Sequence, residues 1–285
     1  MSIQWFPGHM VAAQKKAGET MEFTDVVIEV LDARAPAASQ NPMIKELGAA
    51  RQRVNLKILN KADLADPKVT DQWIQYFNGL PKTKAIAISC KKANDPKKIL
   101  AFCKSLAPHR GTTLKPLRMM IMGVPNVGKS TLMNAILNKR IAKVGDEPAI
   151  TKQQQRHQIN DHMILVDTPG MMWPKITDAH DGYLLAANNA IGKNAYQEDD
   201  VAIELGKILL KQYPELLKDR FAIDHLVVDS IRLLEFIANK KNFPLRNHLL
   251  DIEKAATVLL NEYRQGYLGR ISLETPESRF TLKNI

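Results

Sequence analysis

GVPNVGKST, residues 123–131, is the stretch on which the fold turns. It fits the pattern G-x-x-x-x-G-K-[ST], follows the apolar run LRMMIMG (117–123) and precedes a helix predicted over 129–138. Gly123 and Gly128 let the backbone turn its N–H groups inward around phosphate oxygens, and a helix N-terminus adds a favourable dipole. The loop residues Asn126, Val127, Gly128, Lys129, Ser130 and Thr131 are therefore predicted phosphate contacts. Lys129 would reach the β- and γ-phosphates, and the Ser130 hydroxyl would ligate Mg²⁺. A plain surface turn with the same string would lack the flanking strand and helix.

Three further loops add weight to this one. DTPG, 167–170, ends the apolar run HMILVD (162–167). Asp167 suits a bond to the waters around Mg²⁺, and the Gly170 N–H suits a bond to the γ-phosphate. Asp-Thr-Pro-Gly is also good turn chemistry, so alone it says little. NKAD, 60–63, ends the run VNLKILN (54–60). A carboxylate at Asp63 accepts from both N1–H and the 2-amino group of guanine, a donor pair that adenine lacks. The Lys61 stem can lie over the base plane, and Asn60 would brace the phosphate loop. SCKK, 89–92, follows KAIAIS (84–89), with Ser89 and the backbone of Cys90 and Lys91 set to contact the guanine O6. Thr151, in DEPAITKQQQ, lies where a switch threonine completes the Mg²⁺ shell. Together these loops specify GTP and GDP.

Between residues 20 and 175 strand-length apolar runs alternate with helical patterns, the first run being DVVIEVLDA (25–33). Helices are predicted between the first two runs and over 68–78, 95–106 and 129–138. This alternation predicts an α/β fold, a mostly parallel sheet with helices on both faces. Ligands of such sheets sit at the carboxyl ends of the strands, where all of these loops fall. Beyond about 180, apolar residues recur at helical spacing in 199–212, 229–240 and 248–263. The expected division is a GTPase domain over 1–178 and an all-helical domain over 179–285. Hydrophobic residues make up 45% and charged residues 25%, which is an ordinary globular composition. No apolar run approaches the roughly 20 residues that span a bilayer, and no basic-then-apolar leader opens the chain. Two cysteines without metal-type spacing fit a reduced, cytoplasmic protein, expected as a monomer without membrane contact. The net charge is +10, split as +12 over residues 1–175 and −2 over 176–285. That excess favours a polyanionic partner, nucleic acid first.

The order of the loops is unusual. In Ras-like GTPases the phosphate loop comes first and the guanine-reading loops last; here NKAD and SCKK precede GVPNVGKS. A circularly permuted Ras-like domain explains this, with residues 104–118 (KSLAPHRGTTLKPLR) joining the usual termini. Two departures from Ras-like enzymes stand out. Met171 occupies the place of the water-orienting Gln, and a thioether is a poor partner for water. Asn126 stands where potassium-dependent GTPases place a cation-binding asparagine, which adds K⁺ beside Mg²⁺ as a candidate ion.

The motifs WFPGHM (5–10), DARAP (32–36), NPMI (41–44), NKAD, GVPNVGKST, DTPGMMWPK (167–175) and GRISLE (269–274) resemble those of the ribosome biogenesis GTPase A family, bacterial circularly permuted GTPases. The resemblance covers essentially the whole chain, with PAIT (148–151) in place of an expected Pro-Gly before the switch Thr. It implies GTP hydrolysis stimulated by the precursor of the large ribosomal subunit, late in its assembly. It also implies a helical domain contacting ribosomal RNA, for which Lys240, Lys241, Arg246, Arg264 and Arg270 are the basic candidates. Finally, it implies that His9, behind the Trp5–Phe6 anchor and the Pro7–Gly8 turn, acts in hydrolysis in place of the missing Gln. The catalytic set is then His9, Lys129, Thr151 and Gly170. A GTP-gated RNA-binding module with negligible turnover, and a P-loop ATPase or small-molecule kinase, are the rivals.

Overall fold

The computed structural model describes all residues except 1–2, 7, 51–52, 93–94, 139–153, 224–228, 244–249 and 281–285. Six strands form one sheet: β1 (Val26–Asp32), β2 (Val54–Asn60), β3 (Thr83–Ala87), β4 (Leu117–Met122), β5 (Gln155–Asn160) and β6 (Met163–Asp167). Their spatial order is β3-β2-β1-β4-β6-β5. All neighbours are parallel except β5, which runs antiparallel to β6. Counted instead from β4, the strand that carries the phosphate loop, the order becomes 2-3-1-4-5-6. This is a Ras-like sheet whose chain begins at what would be its fourth strand.

Side-chain alternation along the strands assigns the faces. Val26, Ile28 and Val30 point to the side covered by α4 (Asp95–Leu106) and α5 (Lys129–Leu137), where Ile99, Leu132 and Met133 meet them. Val27 points to the other side, against Ala17 and Met21 of α1 (His9–Met21) and Ile44 of α2 (Pro42–Ala50). On that same side Leu31 and Leu59 pack on Trp73 and Phe77 of α3 (Pro67–Asn78). Edge strand β5 was not expected. Its sequence QRHQIN is polar and largely solvent-facing, so no apolar run marks it.

Beyond residue 178 the chain is helical: α6 (Ala179–Ala187), a 3₁₀ turn (Lys193–Ala195), α7 (Glu198–Gln212), α8 (Pro214–Phe221), α9 (Ser230–Lys240) and α10 (Ile252–Gln265). Asp residues cap α6, α9 and α10 through side-chain bonds to first-turn amides. After α10 the chain returns to the sheet. Leu273 N donates to Arg34 O at 2.7 Å, and Trp73 Nε1 donates to Glu274 O at 3.0 Å. The short α11 (Pro276–Phe280) follows, and Phe280 stacks on Tyr76 at 4.7 Å. Residues 271–280, read from sequence as part of the helical domain, thus pack against the sheet domain. No helix among the described residues is long and apolar enough to cross a membrane.

Candidate functional site

The phosphate loop joins β4 to α5, whose first turn has no side-chain cap. Its backbone N–H groups face an open end, the arrangement that favours anions. Gly128 sits at φ +99, and a Cβ there would fall 2.2 Å from Asn60 Nδ2. The missing side chain lets Asn60 cross over and donate to Val127 O at 2.8 Å. The loop after β2 is in this way tied directly to the phosphate loop. Gly170 lies close on the other side, where a Cβ would come within 3.0 Å of Pro125 Cα. Met171 N donates to Gly123 O at 3.2 Å, so DTPG crosses the phosphate loop in contact.

Two charged side chains line this junction. Lys129 is buried and donates to its own loop carbonyl, Val124 O, at 2.7 Å. Burial depresses its pKa to about 8, against the pull of the Asp167 carboxylate. Asp167, at the end of β6, is also buried, and its oxygens meet no side-chain donor among the described residues. Burial raises its pKa to about 6, opposed by Lys129. The fold thus places a buried carboxylate and a buried ammonium bound to its own loop carbonyl at one junction.

The loops after β2 and β3 also converge. Ala62 N donates to Ile88 O at 3.0 Å, and Cys90 Sγ contacts Asn60 Oδ1 at 3.3 Å. Burial pushes the Cys90 thiol up to about 11, so it stays protonated. Asp63 pairs with Lys91 Nζ at 3.1 Å. Burial would raise the Asp63 pKa, but hydrogen bonds from Ser89 and Lys91 outweigh it and hold the group ionised. Lys61, at φ +61, places its ammonium 2.8 Å from Asp32 Oδ2. Asn126, at φ +58, donates to Asn189 O at 2.7 Å, a contact with the loop after α6. Thr151 and the His9 side chain lie outside what the structure describes.

Met171 is buried in the core with Met21, Val27, Ile44 and Met122, so its side chain faces away from the phosphate loop. The main chain there is held by residues that sequence reasoning gave no role. Asn41 Nδ2 donates to Met171 O at 2.8 Å, Gln14 Nε2 to Met172 O at 3.1 Å, and Met172 N to Met10 Sδ at 3.3 Å. Asn41 is itself fixed by Glu29, which accepts from Asn41 N at 3.0 Å and is ion-paired to Lys57 in the core. Gln4 exchanges two bonds with the backbone of Ile176, at 2.8 and 2.9 Å. The N-terminal segment is held by Gln4, Met10 and Gln14 as well as by the aromatic pair. Asn41 and Met10 fall inside motifs quoted above, which was the available signal; nothing local marks Gln14 or Glu29.

Ribosome biogenesis GTPase A of Bacillus cereus is 40% identical over 284 residues, covering 97% of this chain and 95% of that protein. The chain belongs to the ribosome biogenesis GTPase A family. The protein of that name from Priestia megaterium is 37% identical, covering 97% and 98%. The model of a family described as "50S ribosome-binding GTPase" matches residues 118–261. That match begins in β4, so NKAD and SCKK lie upstream of it, as a permuted chain requires. The fold is also that of GNP-bound YlqF from T. maritima, at a TM-score of 0.64 and 24% identity over 94% of this chain and 99% of that one. The likeness therefore spans the sheet and the helical region together.

Proposed function

We propose that the chain binds GTP across residues 60–63, 89–92 and 123–131, hydrolyses it, and uses the change of state to control its hold on the large ribosomal subunit late in assembly. The observation that carries this is the Asn60–Val127 bond, which brings the guanine-type loop and the phosphate loop to one site. In that site Asp63 reads the base edge and Ser89, Cys90 and Lys91 surround O6. Loop amides from Asn126 to Thr131 cradle the phosphates. Lys129 exchanges its loop carbonyl for phosphate oxygen and neutralises charge developing on the transferred group. The Gly170 N–H serves the γ-phosphate.

The buried Asp167 carboxylate, which meets no side-chain donor among the described residues, fits a hydrated cation such as the Mg²⁺ that GTPases generally use. Ser130 and Thr151 would hold the ion and Asp167 its waters. When bound, Mg²⁺ shields the negative charge shared by the β- and γ-phosphates. Asn126 would turn its side-chain carbonyl to K⁺, giving up Asn189, and His9 would orient the attacking water. Association with rRNA rests on the +12 of residues 1–175. Arg264 and Arg270 are committed elsewhere: Arg264 Nε donates to Ala187 O at 3.0 Å and Arg270 Nε to Ala65 O at 2.9 Å. The buried Met171 favours a second reading, a GTP-gated RNA-binding module with negligible turnover. In either case the protein should pellet with large-subunit precursor in a non-hydrolysable GTP analogue and wash off in GDP, more so at high salt. Equal pelleting in both nucleotides would remove the switch.

The burial of Asp167 has a pH signature. Asp167 has a raised folded pKa, so its contribution to stability is full below the unfolded value of 3.8 and is lost as pH rises through about 6. Asp167→Asn removes that penalty. The nucleotide-free variant should be more stable than wild type at pH 7.5, on the order of 2 kcal/mol, with the gain vanishing towards pH 4. Thermal melts across that range check it; a pH-independent difference would mean Asp167 is not a strained carboxylate.

A further inference from the structure

The guanine-type loop is held from behind by the segment that leaves α10. Arg270 Nε donates to Ala65 O and Arg270 Nη2 to Ala62 O, both at 2.9 Å. Ile271 N donates to Leu64 O at 2.9 Å, and Asp66 N donates to Ser272 Oγ at 3.1 Å. The carbonyls on both sides of Asp63 are therefore fixed by residues 270–271. Ser272 is in turn anchored to the helical region, where the Tyr213 hydroxyl bonds both its N–H and its carbonyl at 3.1 Å. A second line runs through Lys61. Its partner Asp32 also receives Arg34 Nε and Nη2, both at 2.9 Å. The Arg34 guanidinium lies 4.7 Å from the ring centroid of Tyr263 in α10, and the Tyr263 hydroxyl donates to Asn188 Oδ1 at 2.7 Å. Both lines start on the residues flanking or within NKAD and end in the helical region.

A loop whose carbonyls are already fixed loses less freedom when it binds a base, and that difference appears as affinity. We propose that residues 270–272, Arg270 foremost, are the positioning element of the guanine loop. Base recognition is then set from the helical region, and by reciprocity the helical region feels whether guanine is bound. This rests on residues 60–63 being the guanine loop. Nothing in the sequence of Arg270 announces it, since an arginine after Gly269 in a −2 region reads as a solvated charge or an RNA contact.

The test uses the full chain. Arg270 is exposed, so Arg270→Ala removes no core and should fold with a nearly unchanged melting point. Its GDP affinity should fall roughly tenfold, the loss of a preordered loop rather than of a contact with the nucleotide, and Arg270→Lys should recover part of it. Inosine diphosphate lacks the 2-amino donor that Asp63 reads. The preference for GDP over it should narrow in Arg270→Ala, whereas general loosening of the fold would weaken both equally. Tyr213→Phe, which frees Ser272, should move the same way. In wild type, GDP should slow hydrogen exchange at the Ile271 and Leu273 amides. Unchanged GDP affinity and selectivity in Arg270→Ala, beside an Asp63→Asn variant that has lost guanine preference, would overturn the positioning role alone. Retained preference in Asp63→Asn would overturn the loop assignment on which it stands.

Discussion

Asp63→Asn should abolish the preference for guanine and move it to xanthine. The wild-type carboxylate is held ionised by Ser89 and Lys91 and presents two acceptors. Guanine offers two donors to them, N1–H and the 2-amino group. An asparagine amide offers one acceptor and one donor, and its N–H₂ faces the guanine amino group with no partner. Xanthine carries a carbonyl at that position and accepts from it. GTP affinity should fall by roughly 10²–10³, the scale of leaving buried polar groups unpaired in a site built to bond them. The lost ion pair with the exposed Lys91 adds little to this. Competition of GDP and xanthosine diphosphate for the same site measures it. Unchanged guanine preference would return the chain to the wider class of P-loop ATPases and kinases.

His9→Ala should have the largest effect on turnover. Ras-like enzymes orient the attacking water with the residue after D-x-x-G, and here that residue is Met171, 1% exposed within the core. No rotation of a buried thioether supplies the missing hydrogen bond. The geometry instead brings another element to that place. Met172 N bonds Met10 Sδ, and Gln14 bonds Met172 O, so the first turns of α1 lie on the segment that follows Gly170. Residue 9 opens that helix. Particle-stimulated hydrolysis should drop by roughly 10²–10³ in His9→Ala, the contribution of one positioned proton-transfer or charge-stabilising group, with GTP affinity little changed. Equal losses of binding and turnover would make His9 a structural residue.

The central sheet was legible because five of its strands are apolar runs, three of them mostly buried, and buried parallel strands read as continuous apolar stretches. The motif loops were legible because each follows such a run. β5 escaped because an exposed edge strand needs no apolar residues. Helix α6, AHDGYLLAA, is short and lies next to a loop, so its apolar residues show no period to count. The segment after α10 carries neither helical nor strand periodicity. Its meaning lies in contacts more than 200 residues distant along the chain, such as Trp73 to Glu274. Arg264 and Arg270 show the limit most plainly. As letters they are positive charges in a region expected to face RNA; in three dimensions they donate to backbone carbonyls, and Arg264 also to the Tyr196 hydroxyl. Lys61 was placed over the base by motif alone, while its ammonium is set by Asp32, a residue of a different loop.

The most direct test of the whole account is single-turnover GTP hydrolysis by the full chain, with and without purified large-subunit precursor, in Mg²⁺ and K⁺. Slow hydrolysis alone and a large acceleration by the particle, lost in His9→Ala, is the expected result. Hydrolysis at one rate with or without the particle would contradict it and leave a GTP-gated RNA-binding protein in its place.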